Sequence, residues 1–172
     1  RDWSSNIMKQ QRRGGRGGGD QAKREFDQKI VEIKRVTRVT GGGKRMRFRA
    51  LVVIGDRKGR VGMGIRKGPD VSEAVNKAVN SAKKNMITVK IVNDTIPHEI
   101  KLKYKSAVVF LKPAMPGTGV IAGGAIRSVL DLVGIKNVLS KMIGSSNKVN
   151  NVMATYLALN KLRSKEEYAQ IK

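Results

Sequence analysis

Between Arg45 and Ile54 the chain alternates strictly. Met46, Phe48, Ala50, Val52 and Ile54 fall on one side of an extended backbone, and Arg45, Arg47 and Arg49 fall on the other. A period of two fits a β-strand with one buried face and does not fit a helix, where the same residues would spread around the axis. The segment is bracketed by Thr40-Gly41-Gly42-Gly43-Lys44 and by Gly55-Asp56-Arg57-Lys58-Gly59, both rich in residues that reverse a chain. β-Branched residues with interspersed charge from Gln28 to Val39 predict a preceding strand. Arg60 to Lys67 predicts a following one, with Val61, Met63 and Ile65 turned inward.

A helix is predicted next. Gly68-Pro69 ends the strand, and Asp70 with Glu73 has the spacing of a capping box. Val71, Ala74, Val75, Ala78, Val79 and Ala82 recur at helical spacing, and Lys83 and Lys84 stand where the helix dipole favours cations. The expected unit is a three-stranded antiparallel sheet with one helix on its apolar face. After Asn93-Asp94-Thr95 a second unit begins. Ile96, His98, Ile100, Leu102 and Tyr104 alternate with Glu99, Lys101, Lys103 and Lys105, and Val108 to Leu111 makes a short buried strand. A Gly-rich loop, a helix near 122–132, a strand at Val138 to Ile143 and a helix at about 149–161 complete a β-β-α-β-α order. The fold class is therefore α+β: two small two-layer sandwiches. The domains are expected at 25–91 and 92–164, with a basic arm at 1–24 and a tail at 165–172.

Charge limits what such a chain can bind. The 172 residues carry 36 Lys and Arg against 13 Asp and Glu, a formal net charge of +23. Residues 1–24 contribute +5, residues 25–91 contribute +11 and residues 92–172 contribute +7, so the middle third should meet the most phosphate. Gln10 to Gly19 is Gly- and Arg-rich with almost nothing to bury, which suits a disordered arm in loose RNA contact. Cysteine is absent and His98 is the single histidine, which excludes disulfides, thiolate metal sites and thiol chemistry; no cofactor is expected. The longest uncharged run, Pro113 to Ile126, has 14 residues broken by Gly and Pro, too short to span a bilayer. The chain reads as cytoplasmic, with no membrane partner and no small-molecule substrate.

The candidate RNA contacts follow from these patterns. Arg45, Arg47 and Arg49 repel one another along one strand face, which a phosphate backbone lying across them would relieve. The Gly41, Gly42 and Gly43 turn is longer than a two-residue hairpin needs, and with Arg38 and Lys44 beside it lets a backbone approach a ligand closely. Arg57, Lys58 and Arg60 in the next loop, and Asn147 and Lys148 before the last helix, are further candidate RNA contacts. Gly117-Thr118-Gly119-Val120-Ile121-Ala122 has a weak likeness to a dinucleotide fingerprint. The preceding strand does not end at its first Gly, however, and Asp131 stands too close to serve the ribose. A protein contact through Gly117, Thr118, Gly119 and Arg127 is the better reading.

Gly55-Asp56 through Gly59-Arg60-Val61-Gly62-Met63-Gly64, then Val71 through Lys84-Asn85-Met86, closely resembles the family of the fifth protein of the bacterial-type small ribosomal subunit. Pro113-Ala114, Gly117 through Arg127, Asn137-Val138-Leu139 and Gly144-Ser145-Ser146-Asn147 resemble its C-terminal signature, and the likeness runs from about Glu25 to Lys161. It implies a first domain like a double-stranded-RNA-binding fold and a second of the left-handed βαβ type. It implies a structural protein bound to rRNA where body meets neck, serving assembly, decoding accuracy and the messenger RNA path. The implied neighbours are the fourth and eighth small-subunit proteins, with the third and fourth also lining the messenger path, and the spectinomycin pocket lies beside the Gly41 to Gly43 loop. Two features depart from the pattern: Lys148 stands where the family usually has Pro after Ser-x-Asn, and Asp70 and Glu73 occupy a helix start where double-stranded-RNA-binding domains carry Lys. RNA is therefore expected on the sheet face and the Gly loop. The alternatives are a free double-stranded-RNA-binding module, against which the acidic helix start argues, and a nucleotide-dependent enzyme, for which no phosphate loop is present. The sequence does not separate a bacterial from an organellar ribosome.

Overall fold

The computed structural model describes residues 25–164; the Gly/Arg-rich arm and the tail from 165 lie outside the described residues. The chain order is β1 (Asp27–Thr40), β2 (Gly43–Gly55), β3 (Arg60–Gly68), α1 (Val71–Lys84), β4 (Met86–Thr88), β5 (Ile100–Tyr104), β6 (Ala107–Pro113), β7 (Val120–Ile121), α2 (Gly124–Val133), β8 (Val138–Ile143) and α3 (Lys148–Asn160). Two four-stranded sheets result. The first is antiparallel in the order β1-β2-β3-β4, and the second runs β5-β6-β8-β7 with β7 parallel to β8 across the α2 crossover. The α+β class and the order of the long elements are those expected. Two short strands extend the sequence reading: β4, which pairs with Arg60 to Gly62, and β7 inside the Gly-rich loop. Three residues and two residues are too few to show a period.

The alternation on β2 positions α1 as expected. Ala50, Val52 and Ile54 pack with Ala74, Ala78 and Ala82 into a core sealed by Phe48, Val75 and Val79. On β3 the assignment of faces is reversed: it is Gly62 and Gly64, not Val61 and Met63, that face α1. A Cβ on Gly64 would lie 2.0 Å from the Ala78 carbonyl oxygen, and one on Gly62 would lie 2.3 Å from that of Ala82. Alanines on the helix and glycines on the strand bring the two backbones into contact, which no larger side chain would allow.

Val61 and Met63 instead join Leu51 and Val53 in a second core on the opposite side of the first sheet, continuous with Ile126, Val129, Leu130, Val133, Val152, Leu159, Leu102, Val109 and Leu111. The face carrying Arg45, Arg47 and Arg49 is therefore a core face at its other end. The first sheet lies between α1 and the second unit. Burying a Leu or Val side chain contributes about 1.5–3 kcal/mol, so this second core binds the units firmly. Arg57 N–H donates to the Leu132 carbonyl at 3.0 Å and Gly59 N–H to that of Val133 at 2.9 Å, seating the β2–β3 loop on the end of α2.

Two smaller expectations are corrected. His98 precedes β5 in a bend rather than lying on a strand; its Nδ1 contacts the Glu99 carbonyl at 2.8 Å and its Nε2 accepts from the Arg163 N–H at 3.2 Å. The capping box does not form: Asp70 makes no side-chain cap bond, its carboxylate accepting from the Ser72 hydroxyl at 2.6 Å, while Glu73 pairs with Lys77. No helix among the described residues is long and apolar enough to cross a membrane.

Candidate nucleic-acid interface

β2 pairs with β3 only from Phe48 onward, so residues 43–47 and their partners 36–40 form a two-stranded ribbon beyond the sheet. Five residues at about 3.3 Å each carry the tip roughly 16 Å past β3. Directly opposed residues share a face, so the register sorts the ribbon into two surfaces. On one, Arg38 stands opposite Arg45, Val36 opposite Arg47 and Lys34 opposite Arg49, and β3 brings Lys67 next to Arg49. On the other, Thr37 is opposite Met46 and Val39 opposite Lys44, with Met46 and Val39 well exposed.

The cationic face divides again by its partners. Arg49 is half-buried and reaches Glu32 at 3.5 Å, and Lys34 reaches the same carboxylate at 3.3 Å, so the sheet end of the row is compensated from within. Among the described residues, no carboxylate pairs with Arg38, Arg45 or Arg47. Two guanidinium groups directly opposed across a ribbon destabilise it until an anion bridges them, and phosphate suits their forked donors. Lys67 completes a shallow groove with Val36, Thr37, Arg38, Arg45 and Arg47. Sequence reading omitted Lys67 because its place beside Arg49 follows from register rather than from local period.

The tip differs from its expected form. Thr40 pairs with Gly43, so the connection has only two residues, Gly41 and Gly42, and is no longer than a hairpin needs. The third glycine has its own reason: Gly43 sits at φ +132, a region that L side chains rarely adopt, and the Thr40 hydroxyl donates to its carbonyl at 3.0 Å. All three are exposed, and a Cβ on any would meet nothing within 4 Å of the chain itself. Lys44 belongs to the ribbon's opposite face from Arg45.

The other singled-out residues are not brought to the ribbon. Arg57, Lys58 and Arg60 lie at the far end of β2, roughly 40 Å away along the strand. There Arg57 pairs with Asp27 at 2.8 Å, and Arg60 pairs with Asp56 at 2.7 Å and lies 5.3 Å from the Phe26 ring centroid. Asp56 also accepts from the backbone N–H groups of Lys58 and Arg60, at 2.8 and 3.0 Å. Burial acts to raise its pKa, but the Arg60 side chain and the two amides together outweigh burial and hold the carboxyl below its usual range. Asp70 is likewise lowered, first by the Ser72 hydroxyl and then by the Val71 amide, so the start of α1 presents a carboxylate that repels phosphate.

In the second unit Asn147 caps α3, its side-chain oxygen accepting from the Val149 N–H at 3.1 Å, and Lys148 is the exposed first helical residue. Gly117, Thr118 and Gly119 form a turn held by a residue that sequence reading did not single out as a site. The Asn137 side-chain oxygen accepts from the Gly117 and Gly119 N–H groups, both at 3.1 Å. Arg127 is exposed on α2.

Family models cover most of the chain. Residues 26–90 match the N-terminal domain of ribosomal protein S5 and residues 102–172 match its C-terminal domain. The small ribosomal subunit protein uS5 of Thermotoga neapolitana is 47% identical over 148 residues, 86% of this chain and 83% of that protein. Its counterpart from Thermotoga maritima is 45% identical over the same shares of each chain. The chain belongs to the uS5 family. It is accordingly a structural protein of the small ribosomal subunit, part of a ribonucleoprotein that works in translation, and not an enzyme.

Proposed function

We propose that the chain meets small-subunit rRNA through the ribbon, with Arg38, Arg45 and Arg47 on phosphates and the Gly41-Gly42 tip against the RNA surface. The observation that carries this reading is the opposed pair Arg38 and Arg45, exposed on the ribbon and, among the described residues, without a carboxylate partner. A fixed cationic row needs an external anion, and a tip without Cβ atoms can approach RNA closely. The uS5 resemblance supports placement at the junction of body and neck, with the tip beside the spectinomycin pocket. It also supports roles in assembly, decoding accuracy and the messenger RNA path.

The turn at Gly117 to Gly119 and Arg127 form a protein contact in this reading. Arg127 is the only charge between residues 117 and 127, so the segment offers phosphate little, and the uS5 resemblance supports the fourth small-subunit protein as its neighbour, with the eighth nearby. Footprinting of small subunits assembled with the wild-type chain, or with a chain lacking Gly42, tests the ribbon. Deletion should expose the same rRNA nucleotides that the tip protects, with lowered spectinomycin sensitivity and normal incorporation. An unchanged footprint and drug response would make the ribbon a solvated hairpin end.

A further inference from the structure

The second sheet has one face packed and one face open. Leu102, Val109, Leu111 and Val138 turn into the core under α2 and α3. The alternate residues turn out, and cross-strand register arranges them in rows. Lys101, Phe110 and Lys141 form the central row, with the aromatic residue between two lysines in register. Lys103, Val108 and Ile143 form the row on one side, and Lys112, Leu139 and Ile121 form the row on the other. Directly opposed residues on such a sheet have Cβ atoms about 4.5–5.5 Å apart, so these rows make one continuous surface.

Three properties define what this surface takes. No described element covers it, and Ile121, Leu139 and Ile143 are exposed by 55%, 36% and 46%. It is predominantly cationic: β5, β6, β7 and β8 contain no Asp or Glu, with Glu99 exposed just before β5, and among the described residues none of Lys101, Lys103, Lys112 and Lys141 has an ion-pair partner. Its centre is also apolar and aromatic, which the cationic face of the ribbon is not. A duplex presents phosphates and has no use for a ring or for exposed aliphatic groups. An unpaired strand presents phosphates and the faces of its bases, and bases stack on aromatic side chains. Lysine point charges also tolerate the variable phosphate positions of a flexible strand better than the fixed forks of arginine do.

We propose that the open face of the second sheet is a binding platform for unpaired RNA. Phe110 stacks a base, Val108, Leu139 and Ile143 pack against neighbouring bases or sugars, and the four lysines hold the phosphates. The site is separate from the ribbon and does not depend on the reading given to it.

The test uses the full chain with Arg38, Arg45 and Arg47 changed to Gln, so that the ribbon is silent. Fluorescence anisotropy follows binding of a labelled oligouridylate of about twelve nucleotides, a length within the range that such platforms hold, and of an RNA hairpin of similar size. Phe110→Leu keeps an apolar side chain and removes the ring. It should weaken the single strand by about 5- to 100-fold while changing hairpin binding little. Lys101→Gln with Lys141→Gln should flatten the dependence of log affinity on log salt by about 1.4, and this variant decides if Phe110→Leu melts early. Single-strand affinity that is unchanged in both variants, or lost equally for strand and hairpin, overturns the proposal. So does cross-linking in assembled subunits that places Lys101 and Lys141 against a protein.

Discussion

Replacing Arg38, Arg45 and Arg47 together by Gln isolates the part of the cationic row that pairs with no carboxylate among the described residues. All three are exposed, and none touches the core formed by Leu51 and Val53 at the other end of the same face. The free protein should therefore melt as before, or slightly higher, because the opposed pair Arg38 and Arg45 is relieved by tenths of a kcal/mol. Binding should change in a defined way. Each lost phosphate contact reduces the slope of log affinity against log salt by about 0.7–0.9, so three contacts reduce it by about 2–2.7. Between about 50 and 200 mM salt, the variant should then lose about 20- to 40-fold less affinity for an rRNA neck fragment than the wild type does.

Arg49→Gln is the internal control. Its partner Glu32 has a side chain only 9% exposed and would keep Lys34 alone, so this variant should lose on the order of 1 kcal/mol of stability with little change in salt slope. Titrations of wild type and both variants at several salt concentrations, with thermal melts alongside, read both quantities. If the triple variant keeps the wild-type slope, or if it melts cooperatively only at a much lower temperature, the assignment of this face to phosphate is wrong.

Gly64→Ala would place a methyl carbon 2.0 Å from the Ala78 carbonyl oxygen and push α1 off the sheet, lowering the melting temperature by about 5–10 °C in a thermal scan. Asn137→Ala removes the acceptor shared by the Gly117 and Gly119 N–H groups, costing about 1–3 kcal/mol, and hydrogen exchange at those two amides should speed up before the rest of the sheet is affected. Asp56, whose folded pKa lies below its unfolded value, contributes stability that is fully present above the unfolded value near 4 and is lost as pH falls through the folded one; Asp56→Asn should flatten the acid limb of a plot of melting temperature against pH below about 4.

How much of this was legible depends on the distance between the residues involved. β2 and α1 were readable because their instructions are local: apolar residues two apart on the strand and three or four apart on the helix, whatever surrounds them. The basic character, the absence of cysteine and the basic row at Arg45, Arg47 and Arg49 were equally plain, as was the family likeness later supported by the matches over both halves. The sequence by itself therefore determined the types of the long elements, the α+β class and the polyanionic character of the partner. Local period could not say that Gly62 and Gly64, rather than Val61 and Met63, touch α1, since both sets alternate and only contact with Ala78 and Ala82 chooses between them. Nor could it show that Leu51 and Val53 are buried behind the arginine row, because the residues that cover them lie far along the chain in α2 and α3. The partition of that row, with Arg49 engaged by Glu32 while Arg38 and Arg45 oppose each other, is a matter of strand register across a bulge between Ile30 and Glu32. The turn at Gly117 depends on Asn137, and the β2–β3 loop depends on the end of α2. Such contacts join residues with no fixed spacing in sequence, and only the folded chain brings them together.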